Sequence, residues 1–189
     1  MNVESYRIVL ADDHRIFRQG VRKIINESKD LTVVAEADDG LQLMGLLKKK
    51  SPHMVILDIS MPHLRGIETA REVKIFNPAM KILILTMHKN KEYLYRCLSA
   101  GAEGYLLKED TDAELFSAIK IIRSGGNYIS PILSMELADE LARICVGRDQ
   151  VPLERLSVRE REVLTLIAQG KTRKEIADLG IKDNTLFWY

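Results

Sequence analysis

The chain has 189 residues, 46% of them hydrophobic and 29% charged, with a formal net charge of +1. That is enough for one full domain and part of a second, and it excludes an overall electrostatic field that would draw in nucleic acid or an anionic membrane. Cys97 and Cys145 lack metal-binding spacing, the N-terminus MNVESYR lacks a signal peptide's apolar stretch, and no run approaches the ~18 apolar residues that span a bilayer, so a cytoplasmic protein with reduced thiols and no membrane partner is expected.

Apolar runs and amphipathic stretches alternate along the first two thirds of the chain. Arg7–Ala11 reads as a strand that runs into Asp12 and Asp13. In the helix that follows, Phe17, Val21 and Ile25 recur every four residues, with Ile16 and Ile24 beside them. Thr32–Ala37 is the next strand, and Leu41–Lys49 the next helix. Met54–Leu57 is a strand ending in Asp58. A helix near Gly66–Phe76 should stop before Asn77-Pro78. Ile82–Thr86 is a strand. The helix near Lys91–Ser99 has Gly101 as its stop signal. Gly104–Leu107 is a strand that runs into Lys108. Thr111-Asp112-Ala113-Glu114 reads as a capping box opening a helix that carries Leu115, Ile119 and Ile122 on one face and ends near Gly125-Gly126.

Most of these strands are solid Val, Ile and Leu rather than alternating, so both sheet faces should be covered. Five β-α units in series predict an α/β fold with a doubly wound parallel sheet. Residues 1–127 form this domain. Residues 128–155 form a linker with a short amphipathic helix on Leu133, Leu137 and Leu141 and a flexible joint at Gly147-Arg148-Asp149-Gln150. In 156–189, two short helices with capping boxes at Ser157 and Thr172, joined at Gly170, read as the all-α front half of a helix-turn-helix.

Ligands of doubly wound sheets bind outside the carboxyl ends of the strands, where Asp12, Asp13, Asp58, Thr86 and Lys108 all fall. Three carboxylates, a hydroxyl and an ammonium there would hold a divalent cation and a phosphoryl group. Asp58 is the expected nucleophile, because a carboxylate is ionised at neutral pH. Asp13, supported by Asp12, would supply carboxylates to Mg²⁺, a hard cation that prefers oxygen. Lys108 and Thr86 would answer the phosphoryl charge. Each residue also has a plainer reading. Asp12-Asp13 can cap the first helix, Thr86 can simply end a strand, and Tyr105 can be a packing aromatic. His14 stands beside the acid pair, but a hard oxygen site argues against it as a ligand. His63 is placed at the rim, and His53 and His88 in loops or on the surface.

Asp12-Asp13, Asp58-Ile59-Ser60-Met61-Pro62 with Gly66, Thr86 and Lys108, in that order, resemble the receiver domain of bacterial two-component response regulators. Leu156-Ser157, Arg159-Glu160-Arg161-Glu162-Val163-Leu164 and Lys174-Glu175-Ile176-Ala177 resemble the LuxR/NarL (FixJ) type of output domain. The resemblance implies a flavodoxin-like (βα)5 receiver whose Asp58 takes phosphate from a sensor histidine kinase. Mg²⁺ would be held by Asp12, Asp13, Asp58 and the backbone carbonyl of Ser60. Thr86 would move toward the phosphoryl group and Tyr105 would follow it inward, switching a transcription-regulating, DNA-binding output. Homodimers are common in the subgroup. The chain would then be a phospho-accepting switch rather than an enzyme. A stand-alone receiver serving as phosphate sink or interaction switch is the alternative. A Mg²⁺-dependent aspartyl phosphatase ranks low, because Ser60 stands where such enzymes carry a second acid. The tail Gly180–Tyr189 does not match the output family and reads like a prematurely ended frame, with room for only ~8 Å of further helix. The recognition helix is therefore expected to be absent from this chain, its DNA-contacting residues cannot be assigned, and specific DNA binding is not expected of it.

Overall fold

The computed structural model describes residues 5–61 and 66–145. Six strands, β1 (Tyr6–Ala11), β2 (Leu31–Ala37), β3 (Met54–Leu57), β4 (Lys81–Thr86), β5 (Gly104–Leu107) and β6 (Tyr128–Ile129), form one parallel sheet in the order β2-β1-β3-β4-β5-β6. This is the flavodoxin-like doubly wound order, and its reversal point, hence its crevice, lies between β1 and β3. The helices are α1 (Arg15–Asn26), α2 (Gly40–Lys50), α3 (Gly66–Phe76), α4 (Lys91–Ser99), α5 (Thr111–Arg123) and α6 (Pro131–Cys145).

The side-chain alternation of each strand separates two cores. Ile8 and Leu10 of β1 face Val21 and Ile25 of α1 and Leu115, Ile119 and Ile122 of α5. Val9 and Ala11 face the other way, toward Leu43 and Leu47 of α2, Ala70 and Val73 of α3, and Leu94 of α4. β3 and β5 are buried along their whole lengths. That is why they read as unbroken apolar runs. Each such aliphatic side chain contributes about 1.5–3 kcal/mol by leaving water.

Helix ends follow local chemistry. Asp39 caps α2 by accepting from the Gln42 amide, and Asn90 caps α4 by accepting from Glu92. Gly101, at φ +98°, ends α4 as expected; its amide bonds to the Leu98 carbonyl and that of Ala102 to the Cys97 carbonyl. The capping box at Thr111 is not formed. A 3-10 turn, Lys108–Asp110, runs straight into α5, so the helix is entered through Asp110; the Thr111 hydroxyl donates instead to the Lys108 carbonyl, and Glu114 accepts from the Tyr128 phenol.

The sheet also exceeds the expected five strands. Tyr128–Ile129, read as part of the linker, pairs with β5 as β6, and Ser130 continues the seam: its amide donates to the Tyr105 carbonyl, and its hydroxyl oxygen accepts from the Leu107 amide. Two residues show no periodicity from which a strand can be read. The amphipathic linker helix is present as α6, with Leu133 fully buried and Leu137 packed in the core shared by α2, α3 and α4. Among the described residues no helix is long and apolar enough to cross a membrane. The helix-turn-helix segment expected at 156–189, together with Pro62 and His63, lies outside the described residues.

Gly66 opens α3 where the acceptor loop passes closest. A Cβ there would stand far inside contact distance of the Ile59 Cα and the Asp58 carbonyl oxygen, both backbone atoms that cannot swing aside. Gly45, in α2, has nothing within 4 Å of the same position. Urea unfolding should therefore show opposite signs: Gly66→Ala is expected to lose about 1–3 kcal/mol, and Gly45→Ala to gain about 0.5–1 kcal/mol.

Candidate phosphoryl-acceptor and metal site

Ala11 and Leu57 are register partners, so the chain leaves β1 and β3 side by side and delivers Asp12 and Asp58 to the same point. The Asp58 amide donates to the Ala11 carbonyl at 2.8 Å, and the Asp12 amide to the Ala37 carbonyl at 3.1 Å. Arg18, buried on α1, anchors this turn: its guanidinium donates to the Asp12 carbonyl and pairs with Glu36 at 2.9 Å and Asp38 at 2.6 Å. Asp58 is 1% exposed and Asp12 5%. Lys108, at the end of β5, reaches both, its Nζ 2.7 Å from Asp58 Oδ2 and 2.8 Å from Asp12 Oδ2. The same ammonium stands 4.8 Å from the centre of the Phe17 ring. Burial works against the Lys108 charge, but its hydrogen bonds to Asp12 and Asp58 outweigh that and raise its pKa above the ordinary lysine value.

Asp12, Asp13, His14 and Asp58 each bring one ligand atom, all within 4.8 Å of one another. The first helix does not use the two acids as side-chain caps: its N-cap position is His14, with no side-chain cap bond. Asp12 Oδ1 accepts instead from the His14 amide at 2.8 Å. Three carboxylates with oxygen atoms this close fit a hard divalent cation. His14 was set aside on sequence grounds, yet its Nδ1 lies 3.0 Å from Asp13 Oδ1 and 3.4 Å from Asp12 Oδ1.

Thr86 is fully buried at the end of β4, and its hydroxyl oxygen accepts from the His88 amide at 3.2 Å. The Tyr105 phenol donates to the His88 carbonyl at 2.8 Å. Tyr105 is 0% exposed, so its ring is enclosed by the protein. His88 is no free surface residue either. Its ring stacks on Tyr93 at 4.5 Å, and its Nε2 lies 3.1 Å from the Ser60 hydroxyl, whose own amide donates to Asp58 Oδ1. His53 fits its loop assignment, stacked on Tyr6 and accepting from the Arg7 amide.

Residues 8–120 match the family model for the response regulator receiver domain, and residues 154–189 that for bacterial regulatory proteins of the luxR family. The chain is 35% identical to the transcriptional regulatory protein DegU of Brevibacillus brevis, over 98% of this chain and 85% of that one. It is 40% identical to the oxygen regulatory protein NreC of Staphylococcus carnosus, over 91% and 81%. A crystal structure of a LuxR-family two-component response regulator from Aurantimonas sp. SI85-9A1 superposes with a TM-score of 0.70 at 37% identity, covering 74% of this chain and 99% of that one. The chain belongs to the LuxR-family response regulators. It is a two-component response regulator that controls transcription.

In this response regulator Asp12, Asp13, Asp58 and Lys108 converge on one point, while Thr86 and Tyr105 meet one shell further out around the His88 backbone. Sequence reasoning did not place His14 against Asp13, Phe17 against Lys108 or His88 between Thr86 and Tyr105. Their positions next to Asp13, on the α1 stripe and two residues past Thr86 were the signals available.

Behind this site, burial pushes the Cys97 thiol up to about 12 and raises the Tyr105 phenol as well. In an unfolded chain the thiol titrates near ~8.5 and the phenol near ~10. Folded-state values raised in this way leave stability complete below the unfolded values and erode it as pH climbs toward the folded ones. Urea midpoints should therefore fall steadily from about pH 8.5 to about pH 11, and Cys97→Ala should show a shallower fall than the parent chain. Parallel slopes would contradict this.

Proposed function

We propose that Asp58 is the phosphoryl acceptor and that a sensor histidine kinase is the donor. The observation that carries this reading is the Lys108 ammonium set between Asp58 and Asp12, 2.7 and 2.8 Å away. A buried nucleophile thus stands next to a buried cation that can follow its charge as it becomes an ester. An Asp58 carboxylate oxygen attacks phosphorus, a new O–P bond forms, and the donor's P–N bond breaks with its electron pair returning to the imidazole nitrogen. Lys108 stays beside the oxygens that now carry about −1.5 to −2 of added charge. Thr86, at the same sheet edge, can turn its hydroxyl hydrogen to them.

Asp12, Asp13, Asp58 and the Ser60 backbone carbonyl are the proposed Mg²⁺ ligands, and the close-set carboxylates support that choice. When bound, Mg²⁺ would offset charge on the phosphoryl oxygens. Thr86 and Tyr105 are the proposed switch pair. Their shared anchor, the His88 backbone, is where a shift of Thr86 would reach the loop that opens α4. The receiver is taken as 1–127 with β6 added at the edge of its sheet, followed by the rest of the linker and, from 156, the luxR-type part, which is the proposed DNA-directed output; the family match over 154–189 supports it. We place the protein in the cytoplasm, and paired copies would suit palindromic half-sites. The reading is of a phospho-accepting switch and not of an enzyme that turns over a separate substrate.

A small-molecule phosphodonor tests the assignment. The parent chain should be labelled stoichiometrically in Mg²⁺ and barely without it, and Asp58→Asn should stay unlabelled in both. Lys108→Ala should slow labelling by about 10²-fold or more, the usual loss when one charge-stabilising donor is removed. Full labelling of Asp58→Asn would overturn the reading.

A further inference from the structure

We propose that His14 is a nitrogen ligand of the acid pocket, so that this site takes a borderline divalent ion such as Co²⁺ or Zn²⁺ in addition to Mg²⁺. The inference rests on reading the pocket as a metal site and concerns which ion it prefers.

An octahedral ion with bonds of ~2.1 Å keeps neighbouring ligand atoms ~3.0 Å apart and opposite ones ~4.2 Å apart. A tetrahedral ion with similar bonds keeps its ligands ~3.4 Å apart. His14 Nδ1 lies 3.0 Å from Asp13 Oδ1, 3.4 Å from Asp12 Oδ1 and 4.0 Å from Asp58 Oδ2. The 3.0 Å spacing is that of neighbouring octahedral ligands and the 3.4 Å spacing that of tetrahedral ones, while Asp58 Oδ2, 4.0 Å away, is the oxygen that Lys108 holds. The imidazole is brought there by its own backbone, whose amide donates to Asp12 Oδ1 at 2.8 Å. The side chain is 65% exposed, so the ring is open to an ion from solvent.

Ligand chemistry then decides which ion gains. Mg²⁺ prefers oxygen and keeps several waters, so a water replaces the imidazole at little loss. Imidazole suits Zn²⁺, Ni²⁺ and Co²⁺, which also exceed Mg²⁺ in affinity for mixed nitrogen and oxygen donors. His14 therefore adds affinity for the borderline ions alone. A site of three carboxylates and one imidazole would make phosphoryl acceptance at Asp58 open to competition from such ions.

Calorimetric titration of the full chain and of His14→Ala with MgCl2 and with CoCl2 tests this, alongside the visible absorption of bound Co²⁺. Loss of His14 should weaken Co²⁺ binding about tenfold or more, since even groups that only orient a ligand are worth 10–100-fold. It should also alter the Co²⁺ d–d spectrum and leave Mg²⁺ affinity within about twofold. Equal weakening for both ions, or an unchanged Co²⁺ affinity and spectrum, would overturn the proposal while leaving the Mg²⁺ site intact. Failure of the parent chain to bind Mg²⁺ would instead overturn the metal reading beneath it. Matching melting temperatures of parent and variant without metal would show that the fold is unchanged.

Discussion

One ammonium group holds the functional end of this protein together. Asp12 and Asp58 are carboxylates buried at the same point, and like charges that close repel. Lys108 resolves the conflict by bonding to both. It needs the parallel sheet to do so. Only when β1, β3 and β5 end at the same edge can a lysine two strands from one acid and three from the other reach both where they leave the sheet side by side. Phe17, from α1, then covers the ammonium from the other side.

The surrounding structure keeps that geometry tight. Arg18 satisfies its buried guanidinium with Glu36, Asp38 and the Asp12 carbonyl, so the turn after β1 is pinned to the end of β2. Gly66 lets the N-terminus of α3 close against the Asp58 loop, its amide bonded to the Ile59 carbonyl. From Asp58 a chain of contacts runs outward: the Ser60 amide on Asp58, the Ser60 hydroxyl on His88, and His88 stacked on Tyr93 of α4. At the same N-terminal end α4 meets α6, where Lys91 pairs with Glu140 at 2.6 Å. That ion pair is partly exposed and contributes little stability by itself. The firmer link is Leu133, buried in the same core as Leu94 and Cys97 of α4. The helix leading toward the luxR-type segment is thus packed on the same side of the sheet as the element nearest the switch residues.

Much of this was legible in the sequence. Met54–Leu57 and Gly104–Leu107 are strands covered on both faces, and solid apolar runs can be little else at that length. The acids and the lysine stand out because each follows such a run directly. What could not be read depended on direction rather than position. His14 sits one residue past the acid pair whichever way its ring points, and only the structure shows its Nδ1 3.0 Å from Asp13 Oδ1. Phe17 fits the helical stripe whether it packs on an aliphatic or on the Lys108 ammonium. Tyr128–Ile129 is too short to show alternation, and its strand character comes wholly from β5. The Thr111 capping box failed because the preceding residues were already coiled, which no local motif reports.

The most direct test of the ammonium's role is a double-mutant cycle on Lys108 and Asp58, read by urea unfolding in metal-free buffer. Lys108→Met alone should cost about 3–5 kcal/mol, because it strands buried carboxylates without a partner. Adding Asp58→Asn should then recover part of that loss, with a coupling energy of about 1 kcal/mol or more. Losses that simply add would mean the three groups do not depend on one another, and the account built on their convergence would fail.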